Sequence, residues 1–226
     1  SIEVMDKEVL RILKKAPKNA VIIDVGGCWG WHWRKIHFQR PDVKVVIVDL
    51  VRSNLLHAKK ILNDRINKNI FLVHGDALNL DFPSNSFDIY WSVQTIQHIP
   101  EFNKVIIEAY RILKPNAIFI NYSFNRSKLV KFVYSIFGKL YFEEGKIPGG
   151  THYLSRASNQ QKKIIKDIFK NEVLERYTEI LFQLDLKMNY TTFSFLFGRI
   201  DALLSNNLSF FKYVCNQICY EVKKKI

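Results

Sequence analysis

Cysteine is scarce in this sequence, with three among 226 residues, an odd number. Cys215 and Cys219 lie close together and Cys28 far from both. That count excludes a disulfide framework as the basis of the fold and leads us to expect a reducing, cytoplasmic setting. Cys28, His32 and His37 would make a metal cluster only with a second cysteine at ligand spacing, so no metal is expected. Long apolar runs are missing as well. No uninterrupted stretch reaches the roughly 18 residues a membrane-spanning helix needs, so no transmembrane segment is expected. Glu3, Asp6 and Glu8 interrupt the beginning and argue against a secretory leader, while Ser1 leaves the native start open. Acidic residues are few, 21 against 34 lysines and arginines, for a net charge of +13. Such an excess suits an acidic partner, whether nucleic acid, an anionic membrane surface or a phosphorylated substrate. It equally suits a solvated lysine-rich surface. The lysines are scattered, with one short cluster at 223–225, and this favours the surface.

What is present is ample apolar material: 48% hydrophobic residues and 14% aromatics, enough for a full core. Apolar runs at 20–25, 43–50, 70–73, 87–92 and 117–122 read as strands, and the stretches 2–15, 31–39, 53–64 and 101–113 read as helices. Strands alternating with helices imply right-handed crossovers and a doubly wound α/β sheet. Beyond residue 125 the pattern loosens. A helix is expected over 127–137, then a long connection through 138–156, a helix at 159–170, strand character at 172–182, an aromatic helix within 191–211 and a last strand at 218–224. No repeat or shift of composition divides the chain, so residues 1–226 are expected to form one domain.

The densest signal is the segment 21–30, in which Val-Ile-Ile-Asp-Val runs straight into a glycine cluster. Glycines after a buried parallel strand let the chain turn sharply and let a ligand lie against bare main chain. Open α/β sheets bind ligands at that end of their strands. The dinucleotide fingerprint fails, since Cys28 and Trp31 occupy its second and third glycine positions, and no Gly-Lys-Ser/Thr follows for a P-loop. Asp24-x-Gly26-x-x-x-Gly30 remains. An acid ends the second strand at Asp49, placed to accept two ribose hydroxyls. Asp76 follows the third, where a carboxylate suits the exocyclic amine of an adenine.

These residues resemble the class I S-adenosylmethionine-dependent methyltransferases, in particular the small-molecule group typified by quinone-biosynthesis enzymes (methyltransferase type 11). Besides 21–30, the matching segments are Ile47-Val48-Asp49-Leu50, Gly75-Asp76-Ala77, 87–92, Gln97-His98-Ile99 and 111–116. They fall within about 18–122, in the family's order. The resemblance implies a Rossmann-like sheet, mostly parallel with its last strand antiparallel, flanked by helices. It implies a cofactor-binding core at 18–122 and a helical and loop elaboration at 126–217 over the active site. S-adenosylmethionine would be the cofactor and S-adenosylhomocysteine the product. Cofactor contacts fall to Asp24, Gly26, Gly27, Gly30, Asp49, Leu50, Asp76, Ala77 and Ser92. Two departures stand out: Cys28 at the middle glycine of the family's Asp-x-Gly-x-Gly-x-Gly, and Asn116 at the glycine that usually follows Lys-Pro.

Methyl transfer needs a nucleophile held in line with the sulfonium methyl and, for a hydroxyl or amine, a proton acceptor. His98 is the candidate base or orienting residue. Trp31 and His32 beside the loop, and His152 and Tyr153 in the long connection, are candidates for the acceptor side. Trp29 also borders the loop, while Trp33 is expected in the core, and the phenylalanines of 191–213 either roof an acceptor or pack. The expected activity is methyl transfer to a small molecule, preferably at oxygen, on a quinone, a saccharide or another secondary metabolite. RNA methylation is the second reading. Against it, Ser92-Val93-Gln94 replaces the Asn/Asp-Pro-Pro-Tyr/Phe signature of base-amine methylation. A binding protein that kept the fold without catalysis is the third. Peripheral membrane contact stays open, and the sequence gives no oligomeric state.

Overall fold

The computed structural model describes residues 2–125, 158–180, 194–205 and 208–225, with short pieces at 132, 135–136, 138, 145–146 and 152–153. The β-branched runs named above form the centre of a seven-stranded sheet. Its strands are β1 (Val21–Val25), β2 (Lys44–Asp49), β3 (Ile70–His74), β4 (Phe87–Val93), β5 (Leu113–Phe124), β8 (Leu174–Thr178) and β9 (Gln217–Lys223), in the spatial order β3-β2-β1-β4-β5-β9-β8. Strands β1 to β5 pair in parallel, and β9 runs antiparallel to both β5 and β8. The doubly wound sheet with a reversed last strand is thus observed. A separate two-stranded ladder joins β6 (Gly145–Lys146) to β7 (His152–Tyr153).

Helices cover both faces, as a sheet apolar on both sides requires. On one face α1 (Ile2–Lys15) and α3 (Arg52–Leu62) pack through Val9, Ile12, Ala58 and Leu62 onto Ile22, Ile47 and Trp91. On the other, α4 (Phe102–Ile112) and α5 (Ser158–Phe169) cover Ile23, Tyr90 and Phe119. A final helix, α6 (Ser194–Leu204), lies against α1. Part of the segment expected over the active site therefore extends the sheet, through α5 and β8. Most of the helix expected at 127–137 and of the 138–156 connection lies outside the described residues. No described helix is long and apolar enough to cross a membrane.

Three local expectations are corrected. The helix read over 31–39 is a 3-10 turn at Trp31–Trp33 followed by one short helix, α2 (Ile36–Gln39). Trp33 causes the break: it is fully buried, meets Trp91 edge-on at 5.6 Å, and donates its indole N–H to Asp24 at 2.7 Å. Those contacts fix the chain directly after the glycine loop before a regular helix can extend. Helix α3 starts at Arg52 behind Val51, so Ser53, the first residue of the expected helix 53–64, lies inside it rather than at its start. The basic cluster at 223–225 is not one surface patch. Lys224 is buried and donates to the carbonyls of Tyr110 and Leu113, both at 2.7 Å, and to Asn85 Oδ1 at 3.0 Å.

Candidate active site

The strand order reverses between β1 and β4, and the loops leaving those two strands flank a cleft of about 560 Å³. Ligands of open α/β sheets sit at this switch point. Gly26 makes the first turn out of β1, with φ of 73° and its N–H bonded to the Val48 carbonyl at 2.8 Å. A Cβ at this position would lie 2.1 Å from Thr95 Cγ2, so only glycine fits. Thr95, in the loop after β4, donates its hydroxyl to the carbonyls of Gly26 (3.2 Å) and Val93 (3.0 Å), which ties the two loops together. Asp49 closes β2. One carboxylate oxygen accepts the Cys28 N–H at 2.9 Å, and the other accepts the Val51 N–H at 2.8 Å and the Asn54 amide at 3.2 Å. Asp76 caps its own turn by accepting the Leu78 N–H at 2.9 Å.

Of the expected cofactor residues, Gly26, Asp49, Leu50, Asp76 and Ala77 line this cleft, and so does His98. Asp24, Gly27, Gly30 and Ser92 do not; they stand behind the loop and shape it. Asp24 is almost wholly buried, and burial pushes its carboxyl up to about 7, against the Trp33 hydrogen bond and helped by the Asp49 charge. A Cβ on Gly27 would meet the Asp24 carboxylate at 2.6 Å, and one on Gly30 would meet Ile47 and Leu62 at the same distance. Ser92 donates to the Val25 carbonyl at 2.9 Å. Sequence reasoning missed Asn54, Gln94, Thr95 and Glu101, which also line the cleft. Asn54 sits in the first turn after the strand-end acid, a position from which it could have been found. The others lie on either side of His98 and carry no motif.

The hydrogen bonds around His98 fix its tautomer. Gln97 Oε1 accepts the Phe124 N–H at 2.7 Å, so the Gln97 amide NH₂ faces His98 Nε2 at 3.0 Å. Nε2 then accepts, and a neutral ring carries its proton on Nδ1. With Nε2 engaged by Gln97 and Nδ1 buried, neither ring nitrogen is presented to the cleft, which does not suit a base.

A second cavity, of about 410 Å³, lies on the other side of Gln94, which lines both. Its other walls are Ile2, Met5 and Asp6 of α1, Trp31, His32, Val93, Glu179 and Gln217. The two acceptor-side residues expected near the loop, Trp31 and His32, are therefore brought together here. Burial, and next the charge of Arg34, pull His32 down to about 4, so its ring is neutral at physiological pH. Trp29 lies outside both cavities, against His57 at 4.7 Å between ring centroids. The side chains of His152 and Tyr153 lie outside the described residues.

Comparison with known proteins places this geometry. Residues 23–121 match the family model described as a methyltransferase domain. The match spans 99 of the 226 residues, 23 to 121. Among named relatives, the chain is 35% identical over 96 residues to the ubiquinone/menaquinone biosynthesis C-methyltransferase UbiE of Rickettsia bellii (strain OSU 85-389), covering 42% of this chain and 39% of that protein. It is 26% identical over 111 residues to the demethylmenaquinone methyltransferase of Geobacillus sp. (strain WCH70), covering 45% and 47%. The chain thus spans under half the length of these relatives. Among solved structures, the phosphoethanolamine N-methyltransferase 2 of Haemonchus contortus in complex with S-adenosyl-L-methionine superposes with a TM-score of 0.64 at 18% identity, over 97% of this chain and 52% of that one. A SAM-dependent methyltransferase from Aquifex aeolicus superposes with a TM-score of 0.61 at 14% identity, over 99% and 92%. The cleft has the volume of a small-molecule site, a glycine on its wall that packs too closely on Thr95 to carry a Cβ, and acids ending or following two adjacent strands.

Proposed function

We propose that this chain transfers a methyl group from S-adenosylmethionine to a small-molecule acceptor, at an oxygen. The observation that carries the reading is Asp49. It sits at the carboxyl end of β2, inside the cleft, with the loop of Gly26 on one side and Asp76 on the other. A carboxylate there accepts the two ribose hydroxyls, Asp76 and Ala77 border the adenine, and the loop from Gly26 to Cys28 faces the methionine portion. S-adenosylmethionine supplies an electrophilic methyl carbon, so the protein's share is positioning rather than activation. His98 borders the cleft, and the neutral His32 ring in the adjoining cavity offers a lone pair to a hydroxyl. The net charge of +13 does not require RNA, because the site holds no base-amine signature. The scarcity of cysteine supports a cytoplasmic setting.

Titration calorimetry with S-adenosylhomocysteine tests the reading. The chain is expected to bind it, and Asp49→Ala is expected to lower the affinity at least about tenfold, the effect of losing charge-assisted hydrogen bonds. No binding by the unaltered chain would leave a methyltransferase-like scaffold instead. The Rickettsia relative is named a C-methyltransferase, so carbon is the competing acceptor atom. Mass spectrometry of a labelled product distinguishes an ether from a new carbon–carbon bond.

A further inference from the structure

The cavity beside the cofactor cleft has a polar composition that an isoprenoid ring would not require. Gln217, at the start of β9, is fully buried on its wall. Its Oε1 accepts the Thr178 hydroxyl at 2.8 Å, while its Nε2 is buried with no hydrogen-bond partner among the described residues. A buried amide left without an acceptor is costly, and native structures keep few of them unless something else binds there. Glu179, also buried, contributes its carboxylate to the same wall and accepts the Asn216 amide at 3.3 Å. Asp6 contributes another, held by Arg34 at 2.5 Å and Lys35 at 3.4 Å. The neutral His32 ring adds a lone pair, and the indole of Trp31, 43% exposed, stands at the edge with the Arg34 guanidinium 4.6 Å from its centroid.

Backbone conformation gives a second, independent sign. Gln94 and Glu179 both hold left-handed backbones, with φ of 50° and 57°. Neither is glycine or asparagine, and such strain concentrates where a site needs it. Gln94 is also the residue that separates this cavity from the cofactor cleft.

We propose that this second cavity receives the methyl acceptor, and that the acceptor is polyhydroxylated, of saccharide chemistry. The inference rests on the methyl-transfer reading above and narrows its substrate. The wall offers hydrogen-bond acceptors on Asp6, Glu179 and His32 and a donor on Gln217. An ammonium group would satisfy only the former and an oxidised quinone only the latter, while a hydroquinone brings just two hydroxyls, at opposite ends of a flat ring, to four polar groups. A hydroxyl donates and accepts at once, so a ring carrying several meets both kinds of group, and the Trp31 face suits its C–H edges. His32 accepts the hydrogen bond of the hydroxyl that is methylated: the oxygen forms its bond to the methyl carbon, the carbon–sulfur bond breaks onto sulfur, and the proton leaves to solvent.

The test uses the full chain, S-adenosylmethionine with a labelled methyl group, and a panel of methyl glycosides of common hexoses beside ethanolamine and a short-chain hydroquinone. Label is expected on a glycoside hydroxyl. Gln217→Leu is expected to lower kcat/KM for that acceptor about tenfold or more, mostly through KM, with S-adenosylhomocysteine affinity unchanged as the sign of an intact fold. Trp31→Ala, a change at the rim that does not threaten the core, is expected to raise KM as well. Label on ethanolamine or the hydroquinone alone, label on no member of the panel, or glycoside transfer indifferent to both variants would each overturn the proposal while leaving cofactor binding intact. Failure to bind S-adenosylhomocysteine would instead remove the methyl-transfer reading and this inference with it.

Discussion

At the scale of single residues, the two departures from the family pattern have the same physical explanation. Cys28 and Asn116, which stand where glycine is usual, both have left-handed backbones, with φ of 51° and 66°. Asparagine tolerates that region well, whereas cysteine does so at a cost. The loop keeps its shape at Cys28 because Asp49 holds the Cys28 N–H. Cys28→Gly should therefore be nearly neutral for stability, within about 1 kcal/mol, since relieved strain is offset by the freedom glycine gains in the unfolded chain. Cys28→Val places a β-branched side chain in the same conformation and should cost about 2 kcal/mol. Urea unfolding of both variants checks this, and equal midpoints would refute it. Residue-scale chemistry was legible in the sequence where a side chain acts through its position on a strand end, as Asp49 and Asp76 do. It was not legible for Asp24, whose place in the motif gives no sign that its carboxylate turns inward to Trp33.

At the scale of elements, one buried ionic network fixes α1 to the far half of the sheet. Glu8, fully buried on α1, accepts Arg11 Nε at 2.9 Å, the Tyr122 hydroxyl of β5 at 2.7 Å and Arg176 of β8 at 2.9 Å. Arg11 and Lys15 continue to Glu221 of β9 at 2.7 and 2.5 Å. Burial alone would raise the Glu8 carboxyl, but the charge of Arg11, the charge and hydrogen bond of Arg176 and the Tyr122 hydroxyl outweigh it and hold the group below its ordinary 4.5. The fold therefore favours the ionised form. Its contribution is complete above the unfolded value and is lost as pH falls through the lower, folded one. Glu8→Gln leaves two arginines facing a neutral amide and should cost about 3 kcal/mol at pH 7. That difference should shrink as pH falls below 4.5, where the unfolded carboxyl takes up a proton that the native one resists; the lower pH is set at 3. Denaturation at both pH values measures it, and an unchanged difference would sink the account. None of this network was legible in the sequence, because its members are brought together only by the order of the sheet. The strands themselves were legible because each is a continuous apolar run. The stretch 31–39 was misread because its aromatic spacing is helical while Trp33 is committed to a tertiary contact.

At the scale of the whole molecule, the sheet order places two cavities on either side of one strand end, and carboxylates line both. The walls carry Asp49, Asp76 and Glu101 in one cavity and Asp6 and Glu179 in the other. A lysine-rich exterior around carboxylate-bearing cavities fits a solvated surface better than a groove for a polyanion. It also has a cost: a net charge of +13 repels itself in the compact state. Screening acts on charges exposed to water, within a Debye length of about 10 Å at 0.1 M salt, and far less on pairs as buried as Glu8 with Arg11. Adding salt should therefore remove more repulsion than attraction. The thermal midpoint is expected to rise between about 0.01 M and 0.2 M sodium chloride, across which the screening length falls severalfold. A falling midpoint over that range would mean that exposed ion pairs such as Lys166 with Glu172 outweigh the general repulsion, contrary to the small contribution such pairs ordinarily make.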